Sequence, residues 1–264
     1  MSGRILVTMQ REGRVAQITL SRAEKLNALA HDMREQLRDR IVEAARDERI
    51  ASLVITGEGE GFCAGGDVDA MATLRSAGDH RAFHEILHSG AECVLALRAF
   101  PGLTVAAING VAAGAGFALA LNCDLRVAAD TAGLAASWAD VGLVPDWGAS
   151  FWLPQLVGYS RALELVISGR TVDSAEALQL GLVHEVVGPG EVRKRATELA
   201  QRGTSGEMVR QTKYLLRRGM EGSLEASLAA EAEAQEDLFA GDDVAEGLSA
   251  FCDKRAPLFG GSKK

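Results

Sequence analysis

Two glycine-rich stretches and one aspartate are the residues of this chain best suited to chemistry. Residues 59–67 read Gly-Glu-Gly-Phe-Cys-Ala-Gly-Gly-Asp and follow the apolar run Leu53, Val54, Ile55. Residues 109–118 read Asn-Gly-Val-Ala-Ala-Gly-Ala-Gly-Phe-Ala and follow a second apolar run, 104–108. Glycine lets a backbone take positive φ and approach a ligand closely. A loop entering a helix also leaves N–H groups without internal acceptors. A dinucleotide fingerprint would need a glycine where Leu119 stands, and there is no Gly-Lys-Ser/Thr, so the Rossmann and P-loop readings fail. Two such loops can aim two N–H donors at one point. That makes an oxyanion hole, suited to a thioester carbonyl that gains charge as it becomes an enolate. For the first stretch the other reading is an ordinary strand-to-helix turn with Asp67 as a helix cap.

Asp146 sits in Val141-Gly142-Leu143-Val144-Pro145-Asp146-Trp147-Gly148, between apolar and aromatic residues and ahead of a predicted helix. A desolvated carboxylate has a raised pKa and is a better base. The alternative is a helix N-cap, which Asp favours. His80, His84 and His88 recur every four residues and share one helix face, a spacing that permits metal binding. Beyond Glu85 and Asp79 no acidic or cysteine partner is evident, and a solvated or groove-lining face is the plainer reading. Cys63, Cys93, Cys123 and Cys252 form no close pair, which points to reduced thiols in a cytoplasmic protein. Arg217 and Arg218 read as a solvated helix end.

The elements that must hold these residues follow from pattern and composition. The chain has 264 residues and is 47% hydrophobic, enough for one large domain or one domain with a small appendage. A formal net charge of −8 argues against nucleic acid, which demands a basic footprint. Met1, Ser2, Gly3 and Arg4 lead straight into a strand-like run without a signal-peptide apolar core. Residues 103–121 carry no charge, but Asn109, Gly110, Gly114 and Gly116 interrupt them. They read as a buried strand, a turn and a buried helix rather than a membrane span. Strands are predicted at 5–9 and 15–20 around a turn at Glu12-Gly13, and at 53–55, 104–108 and 125–128. Helices are predicted at 30–47 and 80–98. Strand, loop and helix thus recur at intervals of roughly fifty residues, which predicts an α/β layered fold with buried parallel strands. After Val187 the pattern turns helical, with segments at 207–218, 224–238 and 244–255.

The glycine stretches also carry a resemblance. Phe62-Cys63-Ala64-Gly65-Gly66-Asp67 resembles the first oxyanion loop of the crotonase (enoyl-CoA hydratase/isomerase) superfamily, and residues 106–116 resemble its second. Residues 20–29, Leu-Ser-Arg-Ala-Glu-Lys-Leu-Asn-Ala-Leu, resemble its coenzyme A-contacting segment. Residues 251–259 resemble its C-terminal tail. The resemblance implies a ββα spiral core over residues 1–200 and a helical C-terminal trimerisation subdomain over 201–264. It implies an acyl-CoA thioester substrate, with coenzyme A entering as part of that substrate, no metal or redox cofactor, and a homotrimer or hexamer. Carried over residue by residue, the oxyanion donors are the N–H groups of Gly66 and Ala115. Substrate contacts fall on Arg22, Lys25, Leu26, Ala28, Ala64, Asp67, Ala118, Trp138, Phe251 and Lys254.

The resemblance also narrows the reaction. The family's hydratases use two glutamates, whose places are taken here by Ala118 and Trp138. Neither side chain can transfer a proton at ordinary pH, so plain hydration lacks its acid and base. Asp146 matches the acid/base of dienoyl-CoA isomerases and of ring-1,2-epoxyphenylacetyl-CoA isomerases, and the latter resemble this chain closely through residues 142–158. The expected activity is a double-bond shift in an enoyl-CoA or ring-epoxide-derived acyl-CoA. The alternatives are an enoyl-CoA hydratase and a 4-chlorobenzoyl-CoA dehalogenase-like hydrolase. The hydrolase shares Trp138 and Asp146, but neither His84 nor His88 matches its histidine. A non-catalytic CoA-ester binder is the remaining one. Trp147 and Trp152 are expected to line the core or the acyl pocket.

Overall fold

The computed structural model describes residues 5–30, 32–202 and 206–259. The expectation placed on Met1, Ser2, Gly3 and Arg4 lies outside the described residues. The chain opens with a hairpin in which β1 (Val7–Glu12) and β2 (Val15–Leu20) pair antiparallel, Val7 opposite Leu20 and Glu12 opposite Val15. The ladder runs right up to the turn, so β1 starts and ends later than the apolar residues alone predict. In α1 (Met33–Arg46), Met33, Leu37, Ile41 and Ala44 make the buried stripe at helical spacing.

Three successive units then each contribute one long and one short strand. β3 (Ser52–Gly57) is followed by β4 (Gly61–Cys63), then α2 (Val68–Ala77) and α3 (His80–Ala99). β5 (Leu103–Ile108) is followed by β6 (Val111–Ala113) and α4 (Ala115–Leu121). β7 (Leu125–Ala129) is followed by β8 (Gly133–Ala135), α5 (Ala149–Val157) and α6 (Tyr159–Ser168). The long strands enter one sheet and the short strands another. β9 (Thr171–Asp173), α7 (Ser174–Gln179) and β10 (Glu185–Val187) complete the set. The larger sheet has the order β1-β2-β3-β5-β7-β10 and the smaller β4-β6-β8-β9. All pairs in the larger sheet after the hairpin are parallel. This is the expected α/β spiral of ββα units. The fifty-residue interval holds only between β3 and β5, because α2 and α3 are inserted there, and β7 opens already at Leu125. The short strands β4, β6, β8, β9 and β10 are additions to the expected strands.

Residues 103–121 are the predicted strand, turn and buried helix, with β6 inserted in the turn, and every residue of α4 is buried. Among the described residues no helix is long and apolar enough to cross a membrane. Cys63, Cys93 and Cys123 are buried within the core, and burial pushes each thiol up to about 12, while Cys252 is exposed.

α8 (Val192–Gln201) packs across β3, β5 and β7, and its Ala200 carbonyl accepts Ser52 Oγ–H at 2.8 Å. Beyond it lie α9 (Gly206–Gly219), α10 (Leu224–Phe239) and α11 (Asp242–Cys252). α11 is shorter than predicted at its C-terminal end, where Lys254 takes a left-handed φ of +54°. Arg217 is a correction to the solvated-end reading, because it donates to the Arg98 carbonyl at 2.8 Å and fastens α9 to the end of α3.

Candidate active site

The first glycine loop is held from two sides by asparagine amides. Buried Asn27 donates Nδ2–H to the carbonyls of Glu58 (2.9 Å) and Gly61 (2.8 Å), and its Oδ1 accepts the Arg22 N–H at 2.9 Å. Asn109 donates to the carbonyls of Gly59 (2.9 Å) and Gly61 (3.1 Å) and accepts the Gly57 N–H at 3.1 Å. The loop then runs beside residues 26–29. Ala64 N–H donates to Leu26 (2.9 Å), Leu29 N–H to Gly65 (2.7 Å) and Asp67 N–H to Leu29 (3.4 Å). Successive N–H groups of extended chain point to opposite sides, so the Gly66 N–H, between those bonds, faces away from Leu29. It donates to no turn, loop or cap acceptor among the described residues, and neither does the Ala115 N–H. Ala115 is the first residue of α4, where an N–H has no acceptor within the helix.

The two loops are in direct contact. A Cβ on Gly65, which has a φ of +91°, would lie 2.6 Å from the Ala113 carbonyl oxygen and 3.3 Å from the Ala115 nitrogen. A Cβ on Gly116 would lie 2.1 Å from the Cys63 carbonyl oxygen. Only glycine permits this approach at either place. Pairing of β4 with β6 and of β6 with β8 sets the register of the contact.

Around the first loop the structure gathers several of the residues expected to bind substrate. Asp67 keeps its cap role by accepting the Ala70 N–H at 3.1 Å, and it also pairs with Arg22 at 2.7 Å. Burial works to raise the Asp67 pKa, but the Ala70 N–H and the Arg22 guanidinium outweigh it and hold the carboxyl below its ordinary value. Arg22 also donates to the Ala28 carbonyl at 3.0 Å. Lys25 pairs with Asp69 at 2.9 Å in full solvent exposure, a contact easily exchanged for another anion. Leu26 is half-exposed beside them, and Ala28 is buried.

Asp146 settles differently from a helix cap. α5 is capped by Gly148, and no side chain caps it. The half-buried Asp146 carboxylate instead accepts the Trp138 indole N–H at 2.8 Å. Burial raises its pKa above the ordinary aspartate value, while the Trp138 N–H and its own backbone N–H offset part of the rise. Trp138 and Ala118 are themselves buried, 4% and 0% exposed. Trp147 follows in a left-handed conformation with a φ of +49°. Its ring covers Gly90 of α3, where an added Cβ would lie 2.4 Å from Trp147 Nε1. Asn122, at the end of α4, donates to the Trp147 carbonyl at 2.7 Å and accepts the Trp152 indole N–H at 2.8 Å. Sequence reading passed over both Asn122 and the pairing of Trp138 with Asp146.

Other residues stand apart. His80, His84 and His88 are exposed on α3, and His88 lies 3.6 Å from Glu92. No group of three or more His, Cys, Asp or Glu residues that could hold a metal occurs among the described residues. Phe251 and Lys254 are exposed at the end of α11 and form no hydrogen bond or ion pair with the glycine loops among the described residues.

Comparison with known proteins agrees with this geometry. The sequence profile described as enoyl-CoA hydratase/isomerase matches residues 10–262. A short-chain-enoyl-CoA hydratase of Clostridium acetobutylicum is 32% identical over 252 residues, covering 94% of this chain and 95% of that one. A crotonyl-CoA hydratase of Syntrophomonas wolfei is 32% identical over 256 residues, covering 96% and 97%. The crystal structure of an enoyl-CoA hydratase from Polaromonas sp. JS666 superposes with a TM-score of 0.90 at 31% identity, covering 96% of this chain and 98% of that one. Two abutting glycine loops on a ββα spiral, and sequence kinship over nearly the whole length, place this chain in the enoyl-CoA hydratase/isomerase family, within the crotonase superfamily.

Proposed function

We propose that the protein shifts a double bond in an enoyl-CoA thioester, with Asp146 as the single acid/base. The Gly66 and Ala115 N–H groups donate hydrogen bonds to the thioester oxygen. The Asp146 carboxylate removes a proton from the carbon next to the thioester of a 3-enoyl-CoA. The electron pair moves onto the thioester oxygen as a dienolate. The protonated Asp146 then returns the proton at the γ carbon, which leaves the 2-enoyl product and restores the carboxylate. Arg22, Lys25, Leu26, Ala28, Ala64 and Asp67 line the coenzyme A side, and Ala118 and Trp138 the acyl side. The protein works as a homotrimer or hexamer in which Phe251 and Lys254 reach a neighbour's ligand. Resemblance through residues 142–158 extends the substrate class to ring-epoxide-derived acyl-CoA esters.

One observation carries the reading. Asp146 is half-buried, raised in pKa, held by the Trp138 N–H and not spent on a helix cap, while Ala118 and Trp138 offer no second carboxylate. A positioned acid/base contributes about 10²- to 10⁴-fold. Asp146→Asn should therefore lose proton exchange at the α and γ carbons by that factor while still binding CoA esters. Full exchange in the variant would sink the assignment. Hydration is a second reading, favoured by relatives that bear the hydratase name. Crotonyl-CoA hydration assayed beside 3-enoyl-CoA isomerisation separates the two, and faster hydration would favour the second. A dehalogenase-like hydrolase has less support, since His84 and His88 are exposed and form no bond with the Trp138–Asp146 pair.

A further inference from the structure

We infer that Asn122 is a positioning residue, an amide clamp that holds the turn bearing Asp146 against the helix that begins at Ala115. The inference rests on reading Asp146 as the acid/base and names what keeps it aimed. Asn122 is buried at the end of α4, and all of its bonds are short. Nδ2–H donates to the Ala118 carbonyl at 2.8 Å and to the Trp147 carbonyl at 2.7 Å, and Oδ1 accepts Trp152 Nε1–H at 2.8 Å. Two carbonyls demand donors and one indole demands an acceptor, so the amide has one orientation, and neither aspartate nor leucine reproduces it.

The bond to Ala118 lies within α4 and only finishes that helix. The other two reach across to Trp147, just before Gly148, and to Trp152 within α5. Trp147 and Gly148 are consecutive left-handed residues, with φ values of +49° and +77°. Glycine takes that conformation freely, but a bulky aromatic residue does not. A strained residue persists only where its surroundings over-determine it. Here the Asn122 amide fixes the Trp147 carbonyl, and Gly90 leaves room for the ring. The peptide joining Trp147 to Gly148, one residue beyond Asp146, is therefore set by α4. The same seven-residue helix carries the Ala115 N–H at its other end. Donor and base are thus referenced to one rigid piece of backbone.

Full-length Asn122→Leu keeps the side-chain bulk and removes both donors and the acceptor. Its kinetics on a 3-enoyl-CoA should be measured across pH beside the wild type and Asp146→Asn. A small misplacement of a catalytic group can cost on the order of 100-fold, so kcat should fall by about 10- to 100-fold with KM within about twofold. The acidic limb of kcat/KM should also move to lower pH, because a released Asp146 carboxylate gains water and loses the burial that raises its pKa. A merely structural role would lower the melting point but leave that limb in place, so a kcat loss with a stationary limb overturns the inference. Full activity in Asp146→Asn sinks the underlying acid/base reading. An inactive Asp146→Asn beside an Asn122→Leu variant of wild-type kcat and limb overturns the clamp alone. Trp152→Phe keeps an aromatic ring but removes the indole N–H from Asn122 Oδ1, so it tests the clamp even if the leucine variant does not fold. It should lower kcat by about threefold with the same direction of limb shift, and an unchanged profile overturns the inference.

Discussion

All six residues of β3 are buried, whereas α9 buries only Val209, α10 only Ala230 and Ala234, and α11 only Ala250 among their described side chains. Leu224, Phe239 and Phe251 of these last helices stand 71%, 73% and 84% exposed. Both regions have apolar residues at regular spacing, yet only the spiral covers them with its own chain. Periodicity says that a face is apolar but not which surface will cover it. Each large side chain taken out of water contributes about 1.5–3 kcal/mol, so a neighbouring subunit is the cover that the proposed assembly would supply. Beside Arg217, α9 has a second and more buried polar anchor. Lys213 of α9 donates to Asp124 at 2.7 Å and to the carbonyls of Gly102 (2.8 Å) and Phe100 (3.1 Å).

Removing that anchor should give the largest effect. Lys213→Met takes the nearest cation from the Asp124 carboxylate, which keeps the two Thr104 donors and Arg217 at 3.7 Å, and should cost about 3 kcal/mol in chemical denaturation. A loss near zero would mean that α9 hangs on the core no more firmly than α11. Next comes removal of the residues after Gly241. A charge-assisted contact is worth about 1.5–3 kcal/mol, so CoA-ester affinity should fall at least about tenfold and the assembly should weaken in sedimentation. A monodisperse monomer for the intact chain, with full affinity after truncation, would contradict the proposed role. Lys254→Ala isolates one cation and should weaken CoA esters by about threefold, less at high salt, since exposed charges are screened. The smallest effect has the opposite sign. Burial holds the folded-state pKa of Asp146 above its unfolded value, so the folded protein binds that proton more tightly. Raising the pH through the interval between the two values therefore costs stability, and Asp146→Asn removes the cost. The variant should melt slightly higher than the wild type at neutral pH, and the gap should close as the pH falls through the folded-state pKa.

Much of the spiral was legible because β3 and β5 are nearly continuous apolar runs that end at or near glycine. The strands β4, β6, β8, β9 and β10 were not, since three residues each are too few to display an alternation. Both glycine loops were readable from composition, because their close approach admits no other residue at Gly65 and Gly116. Asp146 stood out, but whether it caps a helix was not legible, because that turns on where α5 begins. Its bond to Trp138 and the hold of Asn122 on Trp147 join residues on different elements with no shared period. An asparagine ending an apolar helix reads only as a terminus.

The distribution of thiols gives the molecule a built-in handle for labelling. A thiol held near 12 carries almost no thiolate at neutral pH, and thiolate is the form that alkylating dyes attack. Cys63, Cys93 and Cys123 are therefore closed to a maleimide while the spiral is folded. Cys252 is exposed at the last turn of α11, next to Phe251. Unmutated protein should accept one dye per chain, placed on one of the sparsely covered C-terminal helices. Energy transfer between dyes on mixed chains would then test the proposed assembly, and later labelling of the three remaining cysteines would time the opening of the core.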